Sequence, residues 1–184
     1  MSRAPWPHRS RWLWAAGLLM LALGVAVYVL DRPDGTAMLL PRSWVMHAPG
    51  RSWFGAIGDS LPSFVHAFAF SLFTALVLPR TWRHGALACG GWALCETLFE
   101  LGQHPQVSPW LVQQLHAMAG WPGMEALRRY FKQGSFSTSD VVAGLAGAAL
   151  AFGALWWLCY RPTGPAGPAR PMNPDSVRSG IGRP

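Results

Sequence analysis

The chain has 184 residues, of which 51% are hydrophobic and only 12% charged, and its mean hydropathy is +0.20. Soluble domains carry charge on roughly a quarter of their residues, so a single soluble globular domain is excluded and an integral membrane protein is implied. The formal net charge of +7 is arginine apart from Lys132, and because Arg9, Arg11, Arg80, Arg83 and Arg161 flank apolar runs, it points to lipid headgroups rather than nucleic acid.

A hydrocarbon core of about 30 Å requires roughly 20 mainly apolar residues in a helix, since lipid offers backbone groups no partners. Four runs approach that length, at about residues 12–30, 61–78, 85–101 and 141–160. The first follows a basic segment, residues 1–11. Its small residues Gly24 and Ala26 fit a signal peptide, but the apolar stretch continues through Tyr28, Val29 and Leu30, which favours an uncleaved helix. The second is predicted to begin with Pro62 in its first turn and to stop at Pro79, placements that respect the missing N–H of proline.

The third run begins small, with Gly85, Ala86, Ala88, Gly90 and Gly91, and turns acidic at Glu96 and Glu100. Between it and the fourth, Ser108 and Pro109 read as a cap and a first helical residue. Trp110, Leu111, Leu115 and Met118 then form one stripe of a short interfacial helix. Trp44, Trp53, Phe54, Trp121 and Phe131 suit the same headgroup zone, and Arg128, Arg129 and Lys132 read as a headgroup anchor. Asp140 opens the fourth run as a first-turn acid or cap, and Ala143, Gly147 and Ala151 recur every fourth residue as a packing face. Residues 161–184 are rich in Pro and Gly and read as a disordered tail.

The expected fold is therefore all-α: an integral membrane bundle of four transmembrane helices with one or two short interfacial helices. The acid-free N-terminus, the turn holding Arg80 and Arg83 and the tail after Arg161 fall on one side, which the positive-inside rule makes cytoplasmic. Cys89, Cys95 and Cys159 lie in or beside apolar runs and imply neither a disulfide framework nor a metal site.

Ionisable groups within spans cost about 2.5 to 3.5 kcal/mol each at the bilayer centre, so they are usually paired or functional. Here they gather toward the outer face. His66 is expected about one and a half turns into the second helix; Glu96, Glu100 and Gln103 share a side of the third; Asp140 enters from the fourth. Two carboxylates with an imidazole can serve acid-base chemistry, a proton relay or a cation site. The alternative is that these groups only hydrogen-bond one another and pin the helices. No nucleophile elbow, phosphate loop or dinucleotide fingerprint appears, so no enzyme class follows from motif.

The order of these residues resembles the VanZ-like family of small bacterial membrane proteins. The resemblance lies in Gly58-Asp59-Ser60-Leu61-Pro62 leading to His66-Ala67-Phe68, in Glu96 through Gln103 with its Glu-x-x-Gln, and in Asp140. It covers about half the chain. It implies a fold of a few helices with a polar cluster on the outer side, and supplies no substrate. The localisation expected is a bacterial inner membrane with both termini cytoplasmic, the candidate cluster is His66, Glu96, Glu100 and Asp140, and Gln103 and Asp59 are candidate binding residues. The family pattern commonly shows an Arg shortly before the Asp and an Asn four residues after it, where this chain has Gly134 or Ser135, and Gly144. The function expected is binding of, or action on, an envelope lipid or amphipathic ligand. The rivals are a membrane-embedded acid-base enzyme, a proton-coupled carrier and a structural subunit. The partners implied are membrane lipids and either a second copy or another membrane protein; no cofactor or metal is implied.

Overall fold

The computed structural model describes residues 9–32, 42–44, 46, 52–118 and 120–161; most of the basic N-terminal segment and the Pro- and Gly-rich tail expected to be disordered lie outside the described residues. Among these residues the protein is all-helical. The long helices are α1 (Arg9–Leu30), α2 (Ile57–Val77), α3 (Trp82–Gly102) and α6 (Thr138–Leu155), the last continuing as a π-helical turn through Trp156–Tyr160. Two short helices, α4 (Ser108–Ala117) and α5 (Met124–Gln133), pair with each other between α3 and α6.

Three helices are long and apolar enough to cross a membrane: Ser10–Leu30, Ile57–Val77 and Thr138–Tyr160. α3 is as long as α2, but Arg83, Glu96 and Glu100 interrupt its apolar surface. The helices begin earlier than their apolar runs. α2 starts at Ile57, which leaves Pro62 inside it rather than in its first turn. The cause lies in α1: the Asp31 carboxylate accepts from the backbone N–H groups of Trp53 at 2.7 Å and Phe54 at 2.8 Å, and from the Ser52 hydroxyl at 2.9 Å. These bonds gather the chain into a turn that delivers it to α2 four residues ahead of its apolar face. α3 starts at Trp82 because Thr81 caps it, accepting from the His84 N–H. Ser108 does not cap α4; its hydroxyl donates to the Phe131 carbonyl at 2.7 Å and ties α4 to α5.

α2 is the centre of the bundle. It packs against α1, α3 and α6, and 50% of its most apolar window is buried, against 22% for α1 and 28% for the last span. In lipid, where apolar burial gives little drive for association, close contact between small residues does the work. Gly147 shows it: a Cβ there would run into the backbone carbonyl of Phe64. Ala148 and Ala151 are buried beside it, so the small-residue face of the fourth run is occupied by α2 of the same chain. A stack of Phe70 on Trp92, with centroids 4.8 Å apart, and a 2.8 Å bond from the Trp92 indole N–H to the Thr74 hydroxyl join α2 to α3.

Gly147→Ala is expected to lower stability by about 1 to 3 kcal/mol, because the added methyl meets backbone that cannot step aside. Gly153→Ala, where a Cβ meets nothing within 4 Å, is expected to leave the thermal midpoint in detergent unchanged or slightly raised.

Candidate functional site

The polar end of the bundle is built on the start of α6. Ser137-Thr138-Ser139-Asp140 has the spacing of a capping box, in which the first residue's hydroxyl accepts from the fourth residue's N–H and the fourth side chain returns to the first N–H. Here the box is half made. The Ser137 hydroxyl accepts from the Asp140 N–H at 3.3 Å, but the Ser137 N–H is taken at 3.2 Å by Oε2 of Glu100, from the neighbouring helix. Asp140 Oδ1 is consequently enclosed and has no hydrogen-bond partner.

Glu100 is 5% exposed and bonded through both oxygens: Oε1 accepts from the Gln103 side-chain amide at 3.3 Å. The same amide nitrogen donates to the Tyr130 hydroxyl at 2.9 Å, carrying the network from α3 into α5. Gln103 fits only because residue 134 is glycine; a Cβ there would overlap the Gln103 Oε1. Burial, with the Glu100 carboxylate beside it, pushes the Tyr130 phenol above its ordinary range, so its hydrogen is retained as a donor near neutral pH.

The helix register sets the depth of the remaining groups. A Cβ on Gly144 would lie 3.1 Å from the Glu96 Cβ, so Glu96 packs on α6 at that level. One turn outward on these antiparallel helices brings Asp140 level with Glu100. The charges of Glu96, Glu100 and Asp140 lie within range of one another, and Tyr28 at the end of α1 lies within range of Glu96, Asp140 and Arg32. Among the described residues no Arg, Lys or His forms an ion pair with any of the three carboxylates; the pairs are Arg32–Asp59 and Arg128–Glu125.

Two residues singled out in the sequence stand differently. Because α2 begins at Ile57, His66 lies about two and a half turns below its start rather than one and a half. Phe70 faces Trp92, so one turn outward His66 is level with Glu96, but its ring stacks on Phe70 with centroids 5.8 Å apart rather than turning to the carboxylates. Asp59 is 79% exposed and sits at the rim with Arg32, its carboxylate 3.7 Å from that guanidinium and its carbonyl accepting from it at 2.9 Å. The site is therefore Glu96, Glu100, Gln103 and Asp140, with His66 beneath and Asp59 at the edge.

Sequence reasoning missed Tyr28, Tyr130 and Ser137. The Ser-x-x-Asp spacing could have exposed Ser137; nothing in the sequence marks the two tyrosines, whose place depends on which helices meet. Among the described residues no group of three or more His, Cys, Asp or Glu is arranged to hold a metal ion. Chemically, the cluster presents carboxyl groups, among them the enclosed and unpartnered Asp140 Oδ1, with phenol hydrogens nearby. It can receive a hydroxyl or ammonium donor or pass a proton. No family model, no curated protein and no solved structure matches the chain.

Glu100→Ala strands the Ser137 N–H and is expected to cost about 1 to 3 kcal/mol. Asp140→Ala removes an oxygen that has no partner and is expected to cost less than about 1 kcal/mol. Thermal unfolding of the two variants in one detergent checks the order, and equal losses would refute this division of roles.

Proposed function

We propose that the chain is a four-span inner-membrane protein whose carboxyl cluster, near the extracytoplasmic face, binds the donor-bearing polar head of an envelope lipid or other amphipathic ligand. The observation that carries this reading is the enclosed, unpartnered Oδ1 of Asp140 beside Glu96 and Glu100, with no basic residue paired to them. Burying such a group without a bond costs about 1 to 3 kcal/mol, a deficit that a bound hydroxyl or ammonium would remove.

α3 is the fourth span in this reading. Its buried side faces α2 and α6, while Leu87, Leu94 and Leu98 on the other side are 70%, 59% and 55% exposed and require an apolar surrounding. The end that carries the start of α1 and the close of the π-helical turn then faces the cytoplasm, in keeping with Arg80, Arg83 and Arg161 near it. The likeness to the VanZ-like family agrees with the order His66, Glu96 through Gln103 and Asp140, and supplies no substrate. A purely structural role is favoured by Glu100 alone, since both of its oxygens are already engaged.

Two measurements test the proposal. In a background without cysteines, Gln106→Cys is expected to react with an impermeant maleimide on intact spheroplasts and Thr81→Cys only after lysis; matching accessibility would remove the α3 span. Protein purified in mild detergent is expected to retain an amphipathic ligand, identified by mass spectrometry of the extract, that Asp140→Ala loses while unfolding at the same temperature. An unchanged extract from the folded variant would leave only the structural role.

A further inference from the structure

Outside the carboxyl cluster, an open cavity of about 490 Å³ lies between the start of α4 and the connection from α5 to α6. Its wall includes His104, Ser108, Lys132, Ser135 and Phe136, with Gln103 at its inner side, and none of its lining residues is acidic. Two side chains there favour an anion, His104 and Lys132. The His104 ring is held by the edge of Phe136, with centroids 5.3 Å apart, and its Nδ1 accepts from the Gln106 N–H at 3.3 Å, which leaves the hydrogen of a neutral ring on Nε2. Lys132 is exposed and makes no ion pair among the described residues, whereas Arg128 on the same helix is tied to Glu125 by two bonds of 2.8 and 2.7 Å. α4 starts without a side-chain cap, and its Ser108 and Pro109 form part of the wall, so the positive end of that helix adds to the same field. The amide nitrogen of Gln103 is committed to Glu100 and Tyr130.

We propose that this cavity binds a phosphate ester, held by the Lys132 ammonium and the His104 Nε2–H. The proposal does not rest on the carboxyl cluster, which receives donors where this cavity supplies them. Trp110 and Trp121, 60% and 67% exposed on the flanking segments, would place the cavity at headgroup depth, where phosphodiesters are concentrated. The cavity is distinct from a diffuse basic anchor, because an anchor counts charges and a cavity counts positions.

The test uses the full chain in a neutral detergent, titrated with phosphatidylglycerol, with diacylglycerol as the phosphate-free control, and read by tryptophan fluorescence. Phosphatidylglycerol is expected to bind and diacylglycerol not. Lys132→Gln is expected to weaken binding about ten-fold, the value of one charge-assisted bond, and His104→Gln to weaken it as well. Arg129→Gln removes the same charge from the same helix outside the cavity and is expected to change affinity less than about two-fold. Displacement of the lipid by millimolar inorganic phosphate would identify a soluble phosphate as the ligand; failure to displace it would identify the lipid. Equal losses from Lys132→Gln and Arg129→Gln, or equal binding of diacylglycerol, would overturn the proposal.

Discussion

The polar end of this protein depends on the hydrogen bond from the Ser137 N–H to Glu100. It places a carboxylate of α3 on the first turn of α6, where the helix dipole favours negative charge by about 0.3 to 1 kcal/mol, and up to about 2 when partly buried. It also decides what Asp140 can do, since the bond that would close the capping box is already made. On insertion scales three charged carboxylates at the bilayer centre would cost about 7.5 to 10.5 kcal/mol, and less near its edge. The dipole and the bonds to Glu100 offset part of this, and Glu96 and Asp140 receive little.

The other end of the bundle is built differently. Tyr160 lies over Gly85, close enough that its hydroxyl would be 2.6 Å from a Cβ there, and Arg161 sits 4.3 Å above the Trp157 ring. Arg83 covers Trp82 at 5.7 Å. Arginine over an aromatic face at a helix end is an arrangement suited to the boundary between hydrocarbon and water. One end is thus acidic within and roofed by α4 and α5, while the end bearing the start of α1 and the π-helical turn is aromatic and basic. The asymmetry follows from the short helices: α4 and α5 occur in the connection from α3 to α6, whereas α2 and α3 are joined by a tight turn around Pro79 to Thr81.

The helical class was legible because lipid-length apolar runs leave few alternatives, and the acidic stretch of α3 stood out because charge there is costly. The boundaries were not. Nothing local marks Asp31, yet its three acceptor bonds start α2 a turn early, and that single turn sinks His66 relative to the position expected from its apolar run. Ser108 had the position of a cap, but the carbonyl of Phe131, distant in sequence, took its hydrogen. Tyr28 and Tyr130 could be placed only by knowing that α1, α3 and α5 converge. In each case the deciding partner lies more than twenty residues away, beyond any local pattern.

Two glycines beside the cluster carry the same lesson into chemistry. Glu96 packs on Gly144, and the Gln103 side chain fills the space above Gly134. A side chain at either position would displace a group of the cluster. Among the described residues no basic side chain is paired with the three carboxyl groups. When ionised, such a cluster only accepts, and suits a ligand that brings a hydroxyl or ammonium hydrogen; when protonated, each carboxyl group also donates.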